Sequence, residues 1–304
     1  MPSNSPSAAE CAKASHTLRN AMTVDVEDYF HAEALSKCFP REGWDALEWR
    51  VEASVDRLLT LFEAANVSAT FFILGWVAER HPQLVARIAD GGHEIASHGY
   101  DHRRVDRQRK HEFAEDVHKA TSVLEDLSGK PIIGYRAPTF SISRDNFWAF
   151  EVLERAGYRY SSSIFPIRHD TYGIPDAPRF PFFPPGRRIL EIPMTTTTRF
   201  GMNLPCAGGG YFRLLPYWWS RANIKRVNRN DGKPCIFYIH PWEIDPGQPR
   251  RTDVSRLSRA RHYTNLETTE ARLNRLLQDF KWGRMDEVVL AGPSPARGNE
   301  GAVL

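Results

Sequence analysis

An α/β barrel built on a parallel sheet follows from three features of the sequence. Short β-type runs alternate with helical periods between residues 21 and 161, which implies right-handed crossovers and parallel strands. Polar residues close several of these runs, at Asp25, His98 and Arg136. Contributions from many successive strand ends suit a closed or nearly closed barrel better than an open sheet, which gathers its site at one crevice.

The first run, Ala21 to Val26, is short, apolar and β-type, and it leads into three acids, Asp25, Glu27 and Asp28. Val51, Val55, Leu58, Leu59 and Phe62 keep a helical period, and the apolar run Val67 to Leu74 reads as a buried strand. Pro82 opens the next helix, Leu84, Val85 and Ile88 line its apolar face, and Gly91-Gly92 stops it. A strand from Glu94 to Ser97 then delivers His98. Phe113, Val117, Ala120, Leu124 and Leu127 mark a helix closed by Gly129, after which Pro131 to Tyr135 forms a strand that delivers Arg136. A helix over about 144–156 follows.

From Phe165 to Pro216 the pattern loosens into loops rich in Pro, Gly and Arg, and a stretch this long suits a binding wall. Pro216 to Asn228 reads as a basic helix, and Cys235 to Ile239 as a buried strand ending at His240-Pro241-Trp242-Glu243. Thr264 to Glu267 has capping-box spacing before a helix with Leu273, Leu276, Leu277 and Phe280 on its apolar stripe. Residues 1–20 and 293–304 read as flexible tails around a single domain over 21–292, with a C-terminal extension from about 197.

Composition narrows the function. The 304 residues are 41% hydrophobic and 25% charged, ordinary for a globular chain, and a net charge of +3 is too small and dispersed to indicate nucleic acid. Four cysteines, Cys11, Cys38, Cys206 and Cys235, lie far apart and read as isolated thiols of a reducing compartment. No apolar run reaches the length of a membrane span, and the N-terminus lacks the pattern of a signal peptide. A cytoplasmic location is expected.

His98 and His102 stand four positions apart, so a helical turn, or a tight turn leaving a strand, puts both imidazoles on one side. With a carboxylate they make a three-ligand site with room for water. The strand ends together offer acids, two imidazoles, the Arg136 guanidinium and the His240 imidazole. Metal-assisted hydrolysis of an amide or ester needs such a set: an ion, a base for water and an acid for the leaving group.

These residues carry a resemblance. Thr23 to Asp28, Ser97 to His102, Tyr135 to Pro138, and Ile239-His240 resemble the motifs of the polysaccharide deacetylases with the NodB-homology domain, carbohydrate esterase family 4. A closer similarity, over about residues 20–282, is to the subfamily encoded beside exosortase-linked exopolysaccharide loci; it includes Gly75 to Pro82, Gly208 to Pro216, and His240 to Asp245. The resemblance implies a distorted (β/α) barrel and removal of N-acetyl groups from amino sugars of an exopolysaccharide or its precursor. It implies Asp25 as base, Arg136 as the residue orienting it and His240 as acid. His98 and His102 would be ligands of a divalent metal, most simply zinc, with Co, Ni, Fe or Mn as substitutes. The ion and a backbone N–H would steady the tetrahedral oxyanion. Tyr135, Pro138, Tyr211 and Trp242 would touch the N-acetylated oligo- or polysaccharide. A peripheral association with membrane-bound polysaccharide assembly machinery at the inner membrane is compatible with this reading.

Two departures from the family pattern stand out. Val26 follows Asp25 where a second aspartate is usual, so Glu27 or Asp28 must supply the metal carboxylate. Strand parity favours Glu27, whereas a turn would let Asp28 swing inward. Ser161 stands where the subfamily usually has an acid. The arginines between Arg250 and Arg261 read as a solvated face, and His31, His81 and His93 as surface or capping residues. Trp218 and Trp219 could pack or stack on sugar. Two rivals remain: a metal amidohydrolase for a small cyclic amide or ureide, with a tight pocket, and a sugar-binding relative without activity.

Overall fold

The computed structural model describes residues 18–291, so the two tails expected from the sequence fall largely outside the described residues. Its frame is a parallel sheet of eight strands. In chain order these are β1 (Arg19–Val26), β2 (Thr70–Ile73), β3 (Glu94–Ser97), β4 (Gly134–Tyr135), β5 (Tyr160–Ser161) and β6 (Leu190–Glu191), then, after the two strands β7 and β8 described below, β9 (Ile236–Ile239) and β10 (Lys281–Gly283). β1 pairs in parallel with β2, β9 and β10, and β2 to β6 follow one another in order. The sheet curls into a half-barrel, which matches the distorted barrel expected. β1 begins two residues earlier than its apolar run, because Arg19 and Asn20 pair with Lys281 and Trp282. β4 is shorter than expected, and only Gly134 and Tyr135 enter the ladder.

Strand parity divides the core. Met22, Val24, Phe71, Ile73, Ile95, Phe237 and Ile239 face outward into the larger apolar cluster. Ala21, Phe72, Ala96, Ile236 and Tyr238 face the inner side, where Phe140, Phe165 and Met285 join them. Period-two alternation puts Asp25 on that inner side with Ala21 and Thr23. Both faces are covered, so the strands read as continuous apolar runs.

The outer cluster is sealed by α1 (Val51–Ala64), α2 (Gly75–Arg80), α3 (Pro82–Asp90), α4 (Lys110–Ser128) and α5 (Trp148–Arg155). α4 ends at Gly129 in the left-handed conformation, whose N–H bonds the Glu125 carbonyl. α5 begins four residues later than expected, because Arg144–Asn146 form a separate 3-10 turn. The loose stretch before residue 216 contains an antiparallel hairpin, β7 (Thr196–Arg199) and β8 (Met202–Pro205), and the short α6 (Gly209–Leu214). α7 (Tyr217–Arg226), α8 (Arg256–Tyr263) and α9 (Leu266–Asp279) complete the chain. The expected capping box before α9 does not form. Asn265 takes the cap in a left-handed conformation, and its side chain donates to the Arg213 carbonyl at 2.7 Å.

Gly208, at φ 100°, leads into α6 against β9. A Cβ there would lie 2.2 Å from the Tyr238 carbonyl oxygen. Gly208→Ala should therefore cost about 2–4 kcal/mol of stability, read as a lower urea midpoint at unchanged slope.

Glu191 is fully buried and stands in register with Ser161. One of its oxygens accepts the N–H groups of Ser163 (2.9 Å) and Ile164 (2.8 Å). Burial lifts its carboxyl to about 7, and these donors with Arg136 offset only part of the rise. The unfolded chain releases the same proton near pH ~4.3. The native state therefore holds a proton that the unfolded state has lost, and this stabilisation is complete below about pH 4 and disappears as pH rises through about 7. Glu191→Gln should flatten the decline in unfolding midpoint across that window. An unchanged decline would assign the slope to other groups.

Candidate active site

The candidate site begins where β1 ends. The chain turns there, with the Glu27 N–H bonding the Asp25 carbonyl at 3.0 Å, and both carboxylates remain on the inner side. Asp28 goes the other way. It caps a 3-10 turn over Tyr29–His31, and its carboxylate accepts the N–H groups of Tyr29 (2.8 Å), Arg50 (2.7 Å) and Val51 (2.8 Å). That carboxylate is spent on tying β1 to the start of α1.

β3 delivers His98, and a turn with Gly99 at φ 76° and His102 at φ 58° folds the second imidazole back. Left-handed backbone is costly for histidine, so the surrounding contacts must hold it. Ligand atoms of Glu27, His98 and His102 lie within 4.8 Å of one another. His98 Nδ1 donates to the Arg136 carbonyl at 2.8 Å, which leaves the Nε2 lone pair facing Glu27 Oε1 at 3.9 Å. His102 Nε2 is 3.4 Å from Glu27 Oε2. Burial holds the His98 imidazole down to about 4, the Asp25 and Glu27 charges offsetting part of it, so the ring is neutral as a ligand must be. One carboxylate and two imidazoles fit a borderline divalent ion such as zinc.

Arg136 enters from the end of β4 and is completely buried. Its Nη1 donates to Asp25 Oδ1 (2.5 Å) and Thr23 Oγ (2.8 Å), and its Nε and Nη2 donate to the Ser162 carbonyl (3.2 Å) and hydroxyl (3.1 Å). The guanidinium also lies over the Phe72 ring at 4.1 Å. From the opposite side β9 delivers His240, whose Nε2 is 3.1 Å from Glu27 Oε1 and 3.9 Å from Asp25 Oδ2. His240 Nδ1 meets Glu243 Oε2 at 3.1 Å, and the ring stacks on Trp242. Glu243 is gripped in turn by the buried Arg213 at 2.7 Å. Although burial opposes it, Arg213 and His240 hold the Glu243 carboxyl down to about 2.

The structure thus brings Asp25, Glu27, His98, His102, Arg136 and His240 together, and it leaves Asp28 outside. Trp242 and Tyr211 line a groove of about 720 Å³ above them. Tyr135 does not reach it. Its ring points to the outer cluster, edge-on to Phe113 and Tyr158, because its strand position has the opposite parity. Pro138 is buried beside the groove, whose wall takes its neighbours Ala137 and Thr139 instead. Sequence reasoning missed Thr23, Ser162, Arg213 and Glu243. Glu243 had a signal, since three positions after His240 on a turn is within reach. His31 and His93 accept backbone N–H groups of Asp28 (2.8 Å) and Ala69 (3.0 Å), which are capping roles deep in the fold.

Residues 43–161 match the family model described as polysaccharide deacetylase, and residues 162–290 match a domain of unknown function, DUF3473. A peptidoglycan deacetylase of Helicobacter pylori is 31% identical over 113 residues, 37% of this chain and 38% of that protein. A peptidoglycan-N-acetylglucosamine deacetylase of Bacillus cereus is 34% identical over 96 residues, 31% of this chain and 35% of its own length. The chain thus spans little more than a third of these relatives. Among solved structures, a Mycobacterium smegmatis protein described as a polysaccharide deacetylase superposes with a TM-score of 0.61 at 19% identity, over 95% of both chains. A Pseudomonas aeruginosa structure of the same description gives 0.56 at 16% identity over 88% of each. These two likenesses are of fold. The sequence match is confined to residues 43–161, and over that segment the chain resembles the polysaccharide deacetylases.

Proposed function

We propose that the chain is a metal-dependent N-deacetylase acting on amino sugars of a polysaccharide or its precursor. One observation carries the reading. Asp25 and His240 approach within 3.9 Å of each other beside the Glu27, His98 and His102 cluster at the floor of one groove. When bound there, a divalent ion supplies Lewis acidity toward an amide carbonyl and toward water. Asp25, oriented by the Arg136 guanidinium that Thr23 also holds, takes the proton of the attacking water. His240, fixed by Glu243 and flat against Trp242, gives a proton to the departing amine. The groove walls, including Tyr211 and Trp242, offer aromatic faces to sugar rings.

A groove of about 720 Å³ reaching from Asp25 out to Ser255 and Leu257 favours an oligosaccharide over a small cyclic amide. The finer parts of the proposal rest on motif resemblance: an exopolysaccharide substrate, membership of the exosortase-linked subfamily, zinc as the ion and membrane-bound assembly partners. A cytoplasmic location rests on the cysteine and hydropathy pattern. Isolated thiols at Cys38, Cys206 and Cys235 agree with a reducing compartment. No helix among the described residues is long and apolar enough to cross a membrane.

Acetate release from a panel of N-acetylated oligosaccharides tests the activity, and a chelator should abolish it and added zinc restore it. No release from any member, with metal bound, would favour the inactive sugar-binding relative. Asp25→Asn should retain metal and lose about 10²–10⁴-fold in turnover, since the amide keeps its size but cannot accept the proton. His240→Ala should lose kcat more than KM. A variant at Asp25 that no longer holds metal would exchange the roles of base and ligand.

The metal ligands separate by a binding measurement. His98→Ala, His102→Ala and Glu27→Gln should each lower bound metal in competition with a chelator. Asp28→Asn should keep the metal and lower the unfolding midpoint, because it weakens the bonds to three backbone N–H groups. Loss of metal in Asp28→Asn with retention in Glu27→Gln would reverse the assignment.

A further inference from the structure

We propose that the tip of the β7–β8 hairpin and the outer face of α7 form a docking surface for an anionic phospholipid membrane. The last pair of the hairpin is Arg199 with Met202, so the loop is only Phe200-Gly201, at φ 52° and 73°. Both positions of such a turn require left-handed backbone, which suits Asn, Asp or Gly. Phe200 adopts it at a steric cost and leaves its ring 95% exposed. Local structure gives no reason for a large apolar residue there, since the ring packs on almost nothing.

Phe200 is not alone. Met202 and Trp218 are 59% and 64% exposed, and with Phe200 they are three of five large apolar side chains exposed among the described residues. The other two, Leu214 and Leu257, line the groove. The hairpin and α7 are fastened together: Trp219 Nε1 donates to the Pro205 carbonyl at 3.1 Å, and the Arg199 guanidinium lies 5.5 Å from the Trp219 ring centre. Trp218 sits edge-on to Trp219.

Charge selects the occupant. No acid occurs between Tyr217 and Asn230, while Lys225, Arg226 and Arg229 follow Trp218 along the solvent side of α7 and its terminal turn. None of these three cations enters an ion pair among the described residues. An apolar tip that protrudes, an aromatic at its base and unpaired cations alongside match a lipid interface, where the apolar groups enter the acyl boundary and the cations meet phosphates. A protein partner would be expected to match a recess, and this feature is a projection. Leu214, on the groove wall, is four residues from Trp218, so docking would hold that end of the groove close to the lipid.

The test uses the full chain and vesicles, and it does not depend on deacetylase activity. The chain should sediment with vesicles of phosphatidylglycerol and phosphatidylcholine, weakly or not at all with phosphatidylcholine alone, and less at high salt. Phe200→Ser should weaken binding about tenfold or more, the loss expected from removing one inserted aromatic. Lys225→Glu with Arg226→Glu should do the same, both variants keeping the parent unfolding midpoint. Failure of the parent chain to bind phosphatidylglycerol vesicles would overturn the proposal, and so would full binding by Phe200→Ser. A parent dimer that Phe200→Ser converts to monomer would assign the face to a second copy of the chain. Equal binding of parent and Phe200→Ser to a soluble polyanion, without vesicle binding, would assign it to an anionic polymer.

Discussion

The buried pair of Arg136 and Asp25 is the interaction on which the rest of the site depends. Taking a guanidinium wholly out of water costs several kcal/mol, and a single carboxylate does not repay it. Arg136 is therefore given a bond for each nitrogen: Asp25 and Thr23 on β1, and the carbonyl and hydroxyl of Ser162 after β5, with the Phe72 ring beneath. Those partners come from strands on both sides of it, so the guanidinium also sets how far apart β1 and β5 stand on the inner face. Glu191 supports the same loop from below through the N–H groups of Ser163 and Ile164. It places a carboxyl beside Ser161, at the position where the related pattern has its acid.

A second buried pair, Arg213 with Glu243, serves His240 as the first serves Asp25. Arg213 also donates to the carbonyls of Arg261 (2.8 Å), His262 (3.0 Å) and Thr264 (2.9 Å), which ties the end of α8 to the wall of the groove. The two pairs belong to different parts of the chain. Arg136, His98 and His102 lie in the segment matched as polysaccharide deacetylase, His240, Glu243 and Arg213 lie in the DUF3473 segment, and Asp25 and Glu27 precede both. The matched boundaries thus cut through one site. Residues 43–161 alone would lack Asp25, Glu27 and His240.

Much of this was legible in the sequence because parallel strands covered on both faces leave strong traces. The apolar runs read at 21–26, 67–74 and 235–239 contain β1, β2 and β9, and Asp25 and His240 mark the mouth that β1 and β9 share. Parity also favoured Glu27 over Asp28, although the chain does turn at that point, because the turn carries Asp28 outward to the N–H groups of Arg50 and Val51. What stayed hidden has two physical causes. β5 and β6 are only two residues long, too short for any period to show, and only two residues of the run read at 131–135 enter β4. Arg213 and Ser162 owe their roles to partners 30 and 26 residues away, a relation set by packing and invisible to local pattern. Tyr135 shows the reverse error, where proximity in a motif suggested contact and strand parity directed the ring to the core.

The position of β1 also governs how the chain can be assembled in time. β1 is made well before β9, which covers one of its edges. The bond from the Cys235 N–H to Asn20 Oδ1 spans 215 residues, and the backbone pairs beside it are as distant. At about 5–20 residues per second, a ribosome needs roughly 10–40 s to supply the missing neighbour. Throughout that interval a long apolar strand presents unpaired N–H and C=O groups along one side, a template that any other nascent strand can join. Slower synthesis lengthens that exposure and faster synthesis shortens it.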